Sequence, residues 1–192
     1  MHKSVQRIHS ALIVMFLLIT SVSYSQYTGP GKNAAAEHHV NWMTFEEAVE
    51  AHQKEPRKWV IDVWTSWCGW CKRMDATTFS DSIVANYINE NFYPVSLDGE
   101  YKKDIVVGDK TFKFVAEGRR GYHELPATLM NGKMSYPTIV FLNEQMQNLG
   151  PVPGYKSAKD FHPIIQFMHQ YDGENPTTWE DFQKSYVSPY EG

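Results

Sequence analysis

Cys68 and Cys71 are the only cysteines in a chain of 192 residues, and they stand three apart in the stretch WTSWCGWCKRM, residues 64–74. Two thiols at that spacing have two chemistries open to them, metal ligation and reversible oxidation. Structural zinc takes four ligands as a rule. There is no second cysteine pair, His38 and His39 are adjacent in a polar stretch, and His162 and His169 fall seven apart on one predicted helix. Metal is therefore the weaker reading. A disulfide across so short a loop restrains the unfolded chain little, because the stabilisation grows with loop length. A structural staple would join distant segments, so the pair reads as reactive.

That reactivity has a local electrostatic basis. Cys68 ends the apolar, β-branched run WVIDVWTSW and begins the helical stretch CKRMDATTF. A helix N-terminus presents unpaired N–H groups and about half a positive charge, and a thiol placed there can drop from about 8.5 to about 3.5–7.5 in pKa. Cys71, one turn on, faces the same side and reaches Cys68. Gly69 is read as permitting the tight turn, and Lys72 and Arg73 add positive charge. The chemistry is thiol–disulfide exchange: Cys68 attacks a disulfide of a partner, and Cys71 resolves the mixed disulfide. A buried Cys71 needs a proton acceptor. Asp62 stands in an otherwise apolar strand, either as a buried carboxylate of raised pKa that relays the proton or as a group at a solvated strand end. Trp64 reads as core by strand alternation, whereas Trp67 and Trp70 flank the thiols as an apolar docking rim or as core. The Lys–Lys and Arg–Arg pairs, at 102–103 and 119–120, read as ordinary solvated charge.

Several elements must hold this pair. Thr44, Glu46 and Glu47 open a helix that stops before Pro56. Trp59–Trp67 is a buried central strand. A helix in two pieces, broken near Ser80, leads to a second strand at Tyr93–Asp98. Residues 99–120 form an insertion with a hairpin at Gly108–Asp109. A short helix ends at Gly132, a strand covers Thr138–Leu142, and a turn at Asn143–Glu144 leads to another short strand. A helix capped by Ser157 follows, then a last one with Thr178 and Asp181 in capping positions. Strand–helix–strand implies a parallel pair with a crossover, and the later strand pair an antiparallel addition. The fold class is α/β, a mixed central sheet with helices on both faces.

Two separated motifs, in order, carry a resemblance. VIDVWTSWCGWCK resembles the active-site strand and Cys-x-x-Cys turn of the thioredoxin superfamily through Asp62, Trp64, Trp67, Cys68, Gly69, Cys71 and Lys72. SYPTIVFLN resembles that family's cis-proline loop through Pro137 and Thr138, and GPVPGYKSAKDF its glycine turn and closing helix. The resemblance runs from about Trp42 to Tyr171 and is nearest to exported bacterial thioredoxin-like proteins related to the C-terminal domain of the thiol–disulfide interchange protein DsbD. It implies a thioredoxin-like fold, with Cys68 as nucleophile, Cys71 as resolving thiol and partner in a Cys68–Cys71 disulfide, and Asp62 as the buried carboxylate. It further implies a substrate-binding rim of Trp67, Gly69, Trp70, Tyr136, Pro137 and Thr138, with Pro137 cis and the backbone of Tyr136 pairing with an extended substrate. No cofactor is implied. Two departures stand out. Trp70 replaces a proline in a dipeptide that helps set redox potential, within a family spanning about −270 to −120 mV, or about 7 kcal/mol for two electrons. A lysine common near the buried carboxylate is absent from FYPVSLD.

The remaining sequence bounds location and partners. Lys3 and Arg7 precede the apolar run ALIVMFLLIT, and small residues follow at Ser23 and Ser25. This reads as a signal peptide over 1–25, the run being short of the roughly 20 residues a membrane span needs. A flexible leader over 26–40, a domain over 41–171 and a helical extension over 172–192 complete the expected organisation. Export favours disulfide chemistry. Aromatic residues at 14% argue against disorder, and a net charge of −4 gives nucleic acid no foothold. The expectation is an exported, periplasmic thiol–disulfide oxidoreductase, a reductase or electron relay, acting on protein substrates with disulfides or thiols. A membrane thiol-reductant would recharge it. The alternatives are an oxidase or isomerase, and a binding module of the same fold without redox turnover.

Overall fold

The computed structural model describes residues 39–171 and 177–190. The expected signal peptide, and the expected leader apart from His39 and Val40, lie outside the described residues.

The central sheet has four strands, in the order β2 (Tyr93–Asp98), β1 (Trp59–Trp64), β7 (Thr138–Leu142) and β8 (Asn148–Pro153). β1 pairs in parallel with β2. It pairs antiparallel with β7, which in turn pairs antiparallel with β8. β1 and β7 are central and buried on both faces, which is why their sequences read as unbroken apolar runs. The crossover from β1 to β2 is α2 (Gly69–Thr77) followed by α3 (Ser82–Asn91). The break between them is held by Asp81, whose carboxylate accepts from the N–H groups of Ile83 and Val84 at 3.0 and 3.1 Å.

Two cores sit on opposite faces. One side of the sheet packs Trp59, Ile61 and Val63 against α1 (Phe45–Lys54) and α4 (Glu124–Leu129). The other packs Val60, Ile139 and Phe141 against Met74, Val84, Ile88, Phe161 and Ile165 from α2, α3 and α5 (Ala158–Gln170). Helix starts follow the capping chemistry expected of them. Thr44 and Glu47 form a reciprocal capping box, and Ser157 accepts from the Asp160 N–H.

Three regions add to the sequence reading. Val40 is buried, and Asn89 grips the chain beside it, donating to the His39 carbonyl at 2.9 Å and accepting from the Asn41 N–H at 2.8 Å. The end of the expected leader is therefore packed. The insertion is ordered on the first core through Ile105 and Phe112, in the hairpin β3 (Ile105–Val107) and β4 (Lys110–Phe112). It continues beyond 120 as β5 (Phe114–Val115) paired with β6 (Tyr122–His123). The turn after β7 is longer than the two residues expected. The Asn143 side chain accepts from the N–H groups of Gln145 and Gln147, stretching the turn over Asn143–Gln147. At the C-terminal end, α6 (Trp179–Ser185) sets the Phe182 ring edge-on to Phe167 of α5, and Tyr190 donates to the Asp81 carboxylate at 2.6 Å.

Candidate functional site

Cys68 and Cys71 form a disulfide at the junction of β1 and α2. Cys68 is the N-cap of α2, and its sulfur accepts from the backbone N–H of Cys71 at 3.0 Å. The cap position is ordinarily filled by Ser, Thr, Asp or Asn, whose oxygen does this task. Here sulfur does it, so the converging N–H dipoles would hold a thiolate at Cys68 once the bond is opened. Both cysteines are buried, at 5% and 7% exposure. They are framed by exposed neighbours, Ser66, Trp67, Gly69 and Trp70. Gly69 has no left-handed backbone, and a Cβ there would meet nothing within 4 Å. The expected tight turn does not require glycine. The position instead leaves open space beside the disulfide.

Asp62 is buried in the middle of β1, paired with Ser96 and Ile139, rather than at a solvated strand end. By strand alternation it shares its face with Val60, which packs in the core with Met74 of α2. Its Oδ1 has no hydrogen-bond partner. Burial, with a smaller contribution from the Asp75 charge on α2, pushes its carboxyl up to about 7. A carboxyl at that value can exchange a proton near neutrality.

Trp67 is 47% and Trp70 58% exposed, which makes them rim residues and not core. Trp64 is only partly buried, its indole N–H donating to Ser96 Oγ at 2.7 Å. The Tyr136–Pro137 bond is cis. Tyr136 sets its ring edge-on to Trp67 at 5.7 Å, joining the proline loop to the cysteine turn. The same ring covers the backbone of Gly99, where a Cβ would fall 2.5–2.8 Å from its atoms. Burial, then the Glu100 and Asp98 carboxylates, raise the Tyr136 phenol above its ordinary pKa. Thr138, expected among the substrate contacts, is turned inward. It is 1% exposed, and its hydroxyl donates to the Ser135 carbonyl at 2.8 Å, so it shapes the loop.

Three residues join the site that sequence reasoning passed over. Glu100 accepts the Trp67 indole N–H at 3.1 Å, and Arg120 lies over the Trp67 ring at 4.1 Å. Tyr155, after β8, packs on Trp70 at 5.4 Å, with Arg73 at 5.7 Å from both rings. The insertion was visible as excess length and Arg120 as half of a charged pair. Neither carried a signal that it would fold back onto Trp67.

A four-stranded mixed sheet with a Cys-x-x-Cys disulfide capping the helix after its central strand, and a cis-proline at the start of the neighbouring strand, defines a protein of the thioredoxin superfamily. The chain belongs to the family Thioredox_DsbH, described as a protein of unknown function, DUF255, whose profile matches residues 24–169. Among solved structures, it is similar to a thioredoxin-fold protein from Helicobacter pylori. The TM-score is 0.50 and the identity 19%, covering 67% of this chain and 79% of that one. A DsbH oxidoreductase matches with a TM-score of 0.49 and 14% identity, over 74% of this chain and 95% of that one. Spermatogenesis-associated protein 20 of Rattus norvegicus is 31% identical over 71 residues, which span 36% of this chain and only 9% of that protein. None of the described helices is long and apolar enough to cross a membrane.

Proposed function

We propose that the chain is a thiol–disulfide oxidoreductase in which Cys68 is the attacking sulfur and Cys71 the resolving one. The observation that carries this reading is the cap geometry: the sulfur of Cys68, at the start of α2, accepts the Cys71 N–H. Working as a reductase, the protein begins as a dithiol. The Cys68 thiolate displaces one sulfur of a substrate disulfide, forming an intermolecular S–S bond, and the displaced sulfur leaves as a thiolate and takes up a proton. Cys71 gives its proton to the Asp62 carboxylate and attacks Cys68. The Cys68–Cys71 bond re-forms and the second substrate sulfur is released. The substrate gains two electrons and two protons and the cysteine pair loses them. A dithiol reductant returns them by the reverse exchange.

The basic start and short apolar run at the N-terminus support an exported, periplasmic setting. There, a membrane-bound thiol donor is the reductant that fits the chemistry. Trp67, Trp70 and Tyr136 supply an exposed apolar frame for a protein substrate, and the open space at Gly69 admits its sulfur. The test has two arms. Insulin-disulfide reduction is expected to vanish in Cys68→Ser, and Cys71→Ser is expected to accumulate mixed disulfides with protein partners. Reduction that survives the first substitution, with nothing trapped by the second, would refute the assignment and leave a binding module of this fold. Equilibration against glutathione sets the direction: a potential near −120 mV would make the protein an oxidant and remove the need for a reductant partner.

A further inference from the structure

Two arginine–aromatic contacts flank the cysteine turn. On one side Arg120 lies over Trp67, the residue before Cys68, with Tyr136 at its edge. On the other side Arg73 lies over Trp70, the residue before Cys71, and over Tyr155. Both arginines are exposed. A guanidinium lying against a ring keeps its edge donors for hydrogen bonding; Arg73 gives one to the Tyr155 hydroxyl, and a fork of five N–H donors has others for a carboxylate. Among the described residues neither arginine has a carboxylate within 4.0 Å; the ion pairs there are Arg57–Glu55, Lys113–Asp104 and Lys184–Asp181, all elsewhere. Two carboxylates belong to the same half of the rim: Glu100 accepts the Trp67 indole N–H, and Asp98 accepts the Glu100 backbone N–H.

We infer that this rim selects substrate segments whose reactive cysteine is flanked by acidic residues, with Arg120 and Arg73 as the specificity-determining groups. The inference rests on the redox reading above and deepens it by naming the substrate class. It also gives the insertion a task. Glu100 and Arg120 hold Trp67 at its edge and on its face, so residues 99–120 fix one half of the docking rim.

The test uses the full chain in its reduced form and a set of peptide disulfides identical except for Glu, Gln or Lys on both sides of the cysteine. Each rate is divided by the rate of the same peptide with dithiothreitol, which removes the effect of flanking charge on the peptide's own thiol. The Glu peptide is expected to be reduced about tenfold faster than the Lys peptide at about 20 mM salt, within the range of electrostatically steered association. The ratio should shrink to about twofold at about 500 mM, where the Debye length is a few ångströms. In Arg73→Gln/Arg120→Gln the ratio should be about twofold at low salt too. Arg120→Lys separates charge from shape, since it keeps the first and loses the planar fork. A wild-type ratio near one, with all peptides reduced, overturns the inference while leaving the redox reading standing. Failure to reduce any peptide, or the uncharged hydroxyethyl disulfide, overturns both.

Discussion

Replacing Asp62 with asparagine removes a carboxyl that is buried at a cost to its charged form. The carboxyl is buried mid-strand with one oxygen lacking a partner. Burial raises its pKa from 3.8 to about 7. The sign of its effect on stability follows from proton counts. Between those two values the folded protein holds a proton that the unfolded chain has released. Stability contributed by the neutral carboxyl is therefore fully present below 3.8 and is lost as pH rises through about 7. At 1.36 kcal/mol per pKa unit, the loss is about 4 kcal/mol above pH 8. An asparagine side chain cannot ionise and escapes this cost. In urea unfolding of the oxidised protein, Asp62→Asn is expected to be more stable than wild type by about 2–4 kcal/mol at pH 8 and nearly equal to it at pH 4. The gap should open between those values. In the same variant, resolution of the mixed disulfide should slow by about 100-fold and lose its rise through pH 7, because the proton acceptor is gone. A stability difference that is the same at both pH values, or a variant less stable at pH 8, would show that residue 62 is solvated and would remove the carboxylate from the mechanism.

Other outcomes follow from the same structure. Lys58 is buried, and its ammonium donates to the carbonyls of Met168, His169 and Tyr171 at the end of α5. Lys58→Met should cost about 3 kcal/mol in urea unfolding and speed amide exchange over the last turn of that helix. Gly99→Ala would drive a methyl into the Tyr136 ring. A loss of about 1–3 kcal/mol is expected, with a shift in tryptophan fluorescence as Tyr136 leaves Trp67. Burial holds the imidazole of His162 below its ordinary pKa of 6.5. The unfolded chain therefore binds more protons there, and stability should fall as pH drops below 6.5. Thermal melts at pH 7.5 and 5 in the Asp62→Asn background check this, with His162→Gln flattening the decline.

The fold was legible wherever a local rule decided it. Thr44, Ser157 and Thr178 cap helices as their side chains require, and the apolar runs expected at 59–67 and 138–142 lie in the middle of the sheet, the first ending as a strand at Trp64, three residues early. The chemistry was legible for a similar reason. A thiol at a strand–helix junction acts through the backbone beside it, and a few residues of sequence contain the whole arrangement. The rim was not legible, because its contacts cross long stretches of chain. Arg120 reaches Trp67 only after the insertion has packed Ile105 and Phe112 into the core, and nothing in the local sequence of an Arg–Arg pair encodes that return. Val40 escaped for the opposite reason. One apolar residue after a polar stretch gives no periodicity, and it is the side chain of Asn89, far along the chain, that fixes it in place.

The near-equal burial of the two cysteines narrows what can distinguish them. If exposure chose the nucleophile, 5% against 7% would leave the choice open. Hydrogen bonding does not. The Cys68 sulfur sits at the cap position, accepting an N–H that no carbonyl within the helix can satisfy. Cys71 is already inside the first turn, and the cap hydrogen bond is made to the Cys68 sulfur and not to its own. The carboxylate that could draw its proton lies on the strand face against which α2 packs, and burial has tuned that group to about 7. On the proposed mechanism, each sulfur would have the electrostatic help its step needs: the helix N-terminus for Cys68, which ionises first, and the Asp62 carboxylate for Cys71, which ionises second. On the proposed reading, open space beside Gly69 means that neither sulfur need be widely exposed. The rim needs only to seat the partner's disulfide against Trp67 and Trp70 so that the attack occurs at Cys68.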